Sequence, residues 1–112
     1  MKVAFATVDG RHVQGELRRA SLVVVYEVDR EGWQLDRLSS FDGHAQRSQH
    51  RLEAIDGVSI AFAAAMGPST AARLAARGIR PATAPDGTAI DDLLIALSAT
   101  LAAQDVGTAR CA

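Results

Sequence analysis

The sequence predicts an α/β domain, a mixed five-stranded sheet flanked by helices in the order β-β-β-α-β-α-β-α. Three observations predict it. Two runs rich in valine or alternating apolar residues, 21–28 and 33–41, meet at a turn and read as a hairpin behind an opening strand at 3–7. A continuous apolar run at 58–64 has the pattern of a strand buried on both faces among parallel neighbours. Between and after these runs, apolar residues recur at helical spacing. Antiparallel strands therefore come first and two crossover units follow.

The chain opens with Val3-Ala4-Phe5-Ala6-Thr7 and stops at Asp9-Gly10, where glycine accepts positive φ and aspartate bonds its own backbone. A polar loop, Arg11 to Arg19, carries His12 and Glu16 and ends where the second strand starts at Ser21. That strand, Ser21 to Val28, is followed by a turn at Asp29-Arg30-Glu31-Gly32. The third strand, Trp33 to Phe41, alternates with period two but slips between Leu35 and Leu38, as a bulge would make it. Asp42-Gly43 breaks the sheet. His44 to Ile55 suits an amphipathic helix through Ala45, Leu52 and Ile55, with Gly57 as its stop. After the apolar strand Val58 to Ala64, Gly67-Pro68 starts a second helix with proline at its first position, ending at Gly78. Ile79 to Ala84 reads as an edge strand, because Pro81 removes one donor. Thr88 with Asp91 has the spacing of a capping box, and the helix behind it carries Ile90, Leu93, Leu94, Leu97 and Leu101 on one face. Residues 1–104 are expected to form a single domain and 105–112 a frayed tail.

Composition narrows the function classes. The chain has 112 residues, 48% hydrophobic and 22% charged, with net charge −1, which is ordinary for one soluble core. It shows no basic face, so nucleic acid is not an expected partner. The apolar runs are too short to cross a bilayer and no signal-peptide pattern opens the chain, so a cytoplasmic protein without membrane contact is expected. The lone Cys111, next to the end, allows no intrachain disulfide.

Three stretches carry a family likeness: MKVAFATVDGRHV at the start, AIDGVSIAFAAAMGPSTAARLAARGIRP in the middle, and PDGTAIDDLLIAL at the last helix. Together, over residues 1 to 103, they resemble the dinitrogenase iron–molybdenum cofactor biosynthesis domain, found in NifX, NifY and NafY and in the C-terminal part of NifB. The resemblance implies a ribonuclease-H-like fold. It also implies a carrier that binds iron–molybdenum cofactor or its iron–sulfur precursor during nitrogenase cofactor assembly, alongside nitrogenase assembly proteins. After the first strand the family pattern is S-x-D-G-x-x-V-x-x-H-F-G, whose His is the favoured contact for the cluster. Here Asp9, Gly10 and Val13 match, while Glu16-Leu17-Arg18 stands at the His-Phe-Gly positions.

The candidate site follows from that loop. His12, four residues before the missing family His, is the first-choice metal ligand, since iron and molybdenum accept imidazole. Its alternative is a solvated histidine hydrogen-bonded to the turn. Glu16 is either a hard oxygen ligand or a surface charge pairing with Arg18 or Arg19. His44 is the second-choice ligand; His44 and His50, six apart, do not share a helix face as a metal pair would. Gly67, Ser69 and Thr70 offer backbone N–H groups and hydroxyls at a helix start, which attracts anions, and Arg11, Arg18 and Arg19 would balance a cluster's negative charge. The expected cluster position lies between the Asp9–Arg19 loop, the start of the first helix and the Gly67–Thr70 turn. Catalysis is not expected. A two-metal nuclease needs converging carboxylates, and although Asp9 follows the first strand, the fourth ends in Ala63-Ala64-Ala65-Met66. No phosphate-loop lysine or G-x-S-x-G is present. The competing reading is a cluster-free relative acting as a protein–protein interaction module, and a monomer or a weak homodimer fits either.

Overall fold

A computed structural model of the chain describes residues 1–41 and 48–111, and the side chains of 1–41 and 51–104. The strands are β1 (Lys2–Thr7), β2 (Leu22–Asp29), β3 (Gly32–Ser40), β4 (Ile60–Ala63) and β5 (Arg80–Thr83). The helices are α1 (Ser48–Ala54), α2 (Pro68–Ala76) and α3 (Ile90–Cys111). The expected break at Asp42-Gly43 and the helix start at His44 lie outside the described residues. The strands form one sheet in the order β3-β2-β1-β4-β5. β1 is antiparallel to β2 and parallel to β4, and β4 is parallel to β5, so the sheet is mixed and compatible with a ribonuclease-H-like arrangement.

The sheet separates two cores. On one face, Ala4, Ala6, Val23, Val25 and Ala61 meet Leu52 and Ile55 from the α1 region and Leu74 of α2. Alanines on β1 and β4 let the helices approach closely, which is the use of this chain's alanine-rich strands. On the other face Val3, Phe5, Val24 and Val28 meet Ile90 and Leu94 of α3. Phe5 stacks on Phe62 at 5.3 Å between centroids and meets Tyr26 edge-on at 6.2 Å.

The slip in the third strand is a bulge. Tyr26 pairs with Leu35 and Val25 with Arg37, leaving Asp36 unmatched. Pro81 lies in β5 at the sheet edge, as its missing donor requires. One local expectation is corrected. Thr88 forms no capping box: its hydroxyl donates to the Pro85 carbonyl at 2.6 Å and closes the turn before α3. Beyond Gln104, where the sequence suggests a frayed tail, the backbone is helical to Cys111.

Candidate functional site

The loop after β1 is a plug across the carboxyl ends of the parallel strands. Its backbone bonds in turn to every element there. Gln14 N–H donates to Ala6, and Val13 exchanges bonds with the 87–88 turn through Val13 N to Thr88 O and Gly87 N to Val13 O, both 2.8 Å. Ala64 N–H and Ala65 N–H both donate to the Gly15 carbonyl, and Gly15 N–H donates to the Asp86 carboxylate at 3.0 Å. Isolated bridges link His12 to Ala89 and Glu16 to Ala65. Val13 and Leu17 are buried, and Leu17–Arg19 is a short 3-10 helix. The segment read as a polar loop is thus held in place along its length. Val13 goes into the α3 core and Leu17, standing where the family has Phe, into the other.

Asp9 organises the turn that presents His12. Its Oδ1 accepts the N–H groups of Arg11 at 2.8 Å and His12 at 2.9 Å, while Oδ2 lies 2.7 Å from His12 Nδ1. Gly10 sits at φ +80°, where a side chain would strain the backbone, and its N–H donates to Thr7 Oγ1. The Arg11 N–H, followed by the His12 ring, holds the Asp9 carboxyl well below the usual carboxylate range. With neutral imidazole, a proton on Nδ1 donated to Asp9 leaves the Nε2 lone pair facing outward. Carboxylates orient metal-binding histidines in this way. The same bond is also what a histidine held by its turn would make. His12 is 42% exposed and lines an open cleft of about 610 Å³ with Gly10, Arg11, Tyr26, Ala89 and Asp91.

The remaining candidates gather elsewhere. Glu16, at the family His position, is taken up by Arg18 at 3.1 Å and Arg19 at 3.9 Å. Arg18 lines a small cavity with Leu17, Arg51, Leu52, Thr70 and Arg73, on the α1 and α2 face of the sheet. Arg51 is buried there, donating from Nε to the Ala20 carbonyl at 2.8 Å, with its guanidinium 4.9 Å from the Phe41 ring centre. Burial lowers its pKa. Gly67 precedes α2 with Pro68 in the first turn, and Ser69 is exposed at that helix start. His12 thus opens on the α3 side, whereas Arg18 and Thr70 lie on the opposite side. The sheet rim separates the two groups that the sequence had placed around one cluster. His44 lies outside the described residues, as do the side chains of His50 and Cys111. Tyr26, Asp86 and Asp91 were missed as neighbours of the loop; Asp91 had been read only as a helix-start acid, and no local signal marks Tyr26. Among the described residues no group of three or more His, Cys, Asp and Glu could hold a lone metal ion.

The family model described as dinitrogenase iron-molybdenum cofactor matches residues 1–100. A NifX protein of Herbaspirillum seropedicae is 33% identical over 107 residues, covering 90% of this chain and 73% of the relative. A NifX protein of Sinorhizobium fredii is 30% identical over 105 residues, covering 84% of this chain and 66% of the relative. The crystal structure of PH0822 superposes with a TM-score of 0.64 at 18% identity, over 89% of this chain and 92% of that one, a likeness of fold. No helix of the described residues is long and apolar enough to cross a membrane.

Proposed function

The chain belongs to the dinitrogenase iron–molybdenum cofactor family, and from that premise we propose that it is an accessory protein of nitrogenase cofactor assembly that carries a metal–sulfur cluster. The cargo is iron–molybdenum cofactor or its iron–sulfur precursor. The observation that carries this reading is the Asp9–His12 pair at 2.7 Å, which turns an imidazole nitrogen toward a cleft of about 610 Å³. A preformed cluster brings its own sulfides, so one oriented nitrogen from the protein suits it where a lone ion would need several donors. Arg11 stands beside the same cleft as a counter-charge. A single ligand on an open rim holds cargo weakly, as a protein that must release it requires. Nitrogenase assembly proteins are the corresponding partners.

A second reading, a cluster-free interaction module, is favoured by one observation: at the family His position Glu16 is already paired with Arg18 and Arg19. One experiment separates the two. The purified protein is titrated anaerobically with isolated cofactor precursor, and iron is measured across gel filtration. The carrier reading expects iron to co-elute, with His12→Ala reducing it about tenfold or more and Asp9→Asn by a smaller factor. Iron unaffected by His12→Ala would keep the carrier and remove His12 as its ligand. No iron on the wild-type protein sinks the carrier and leaves the interaction module.

A further inference from the structure

β3 is an edge of the sheet, and among the described strands its nine residues pair only with β2. Trp33, Leu35 and Leu38 are exposed along it, the two leucines by 52% and 54%. All three lie on the α3 face, because their β2 partners Val28, Tyr26 and Val24 do. The bulge makes this possible. Leu35 and Leu38 are three residues apart and would point to opposite faces of a regular strand. The extra residue, Asp36, brings them onto one side, so here a bulge concentrates apolar surface on an edge.

The sequence across the bulge complements itself. Run antiparallel against a second copy about a twofold axis between Asp36 and Arg37, it sets Leu35 opposite Leu38 and Asp36 opposite Arg37. Trp33 then faces Ser40, and Gln34 faces Ser39. Opposite residues share a face in every case, since Ser40 pairs with Leu22 on the α3 side, and Gln34 and Ser39 pair with Glu27 and Val23 on the other. Both copies contribute the same extra residue, so the two bulges cancel and the register continues through the axis. Within one chain Asp36 lies 3.6 Å from Arg37 Nε and 3.8 Å from Lys2 Nζ, and Arg37 donates to the Asp56 carbonyl at 2.7 Å; in the pair each Asp36 stands opposite the other copy's Arg37, a charge of opposite sign. A bulge or a charge can guard an edge against pairing; in this register the two bulges stand opposite each other and the charges meet in opposite-sign pairs.

We propose that β3 is the contact surface for a second copy of this chain, the two sheets joining edge to edge through Leu35–Leu38 in an isologous antiparallel pair. One added strand makes a small interface, so the dimer is concentration-dependent. Sedimentation velocity from about 1 µM to about 500 µM is expected to show the mass rising from 11.8 kDa toward twice that value. Asp36→Arg alone, or Arg37→Asp alone, places like charges opposite and raises the dissociation constant about tenfold or more. Asp36→Arg combined with Arg37→Asp restores opposite pairs and recovers the dimer. Should a single reversal unfold the chain, Leu35→Ser with Leu38→Ser reads the same contact with side chains already exposed in the monomer, and a similar rise is expected. A monomer at every concentration overturns the proposal. So does a dimer indifferent to the single reversals or to the serine pair, since it would use another surface.

Discussion

At Asp9 one carboxylate closes a turn with one oxygen and orients an imidazole with the other. The turn N–H groups and the ring depress its pKa below the ordinary 3.8, so the charged form is the one the folded loop favours. The stabilisation is therefore fully present above the unfolded value and is lost as pH falls below it toward the folded value. Asp9→Asn keeps the shape and removes the charge. Scanning calorimetry should show a lower Tm for the variant near neutral pH, by an amount that shrinks below about pH 4. A gap that persists unchanged in acid would mean that the carboxylate charge is not what holds the turn.

Among elements, α3 covers the Val3, Phe5 and Val24 face with Ile90 and Leu94, both buried, while Ile95 is exposed. Leu94→Ala should cost roughly 2–5 kcal/mol, and Ile95→Ala roughly 0.5 kcal/mol or less; urea unfolding of both variants checks the contrast. That helix was legible because its apolar spacing is strong, and the strands were legible for the same reason. Valines at 23–25 and the run at 58–64 leave little other choice, Pro81 announces an edge, and the slip between Leu35 and Leu38 announces a bulge. The loop was harder to read. Glu16 and Gln14 make it look polar, yet Val13 and Leu17 anchor it from opposite sides of the sheet, and its backbone partners come from residues 64–65 and 86–90. Such long-range bonds leave no periodicity in sequence. For the same reason the sequence located Asp9 in a turn and His12 in the loop after it but could not tell that Asp9 holds His12, or that Arg18 and Thr70 face the other way.

In the whole molecule the rim divides possible cargo positions in two. On the α3 side stand His12 and Arg11, with Asp91 in the same cleft as a charge of the wrong sign for an anionic cluster. On the α1 and α2 side Arg18, Arg51 and Arg73 line a cavity with Thr70, and Glu16, at the position of the family His, pairs with Arg18. Among the described residues, His12 and this arginine-lined cavity thus lie on different sides of one sheet. Glu16→His in a His12→Ala background reunites imidazole and arginines. The substitution puts an imidazole beside the end of β4 and releases Arg18 and Arg19 from the carboxylate they now contact. Glu16 is partly exposed and Leu17 stays buried, so stability should change by about 0.5 kcal/mol or less. In the anaerobic titration the double variant should recover the iron lost by His12→Ala and exceed the wild type, because the cationic groups then lie around the ligand. Iron remaining at the His12→Ala level would show that the arginine side does not receive a cluster even with a ligand in place, and that the charge there serves something other than the cargo.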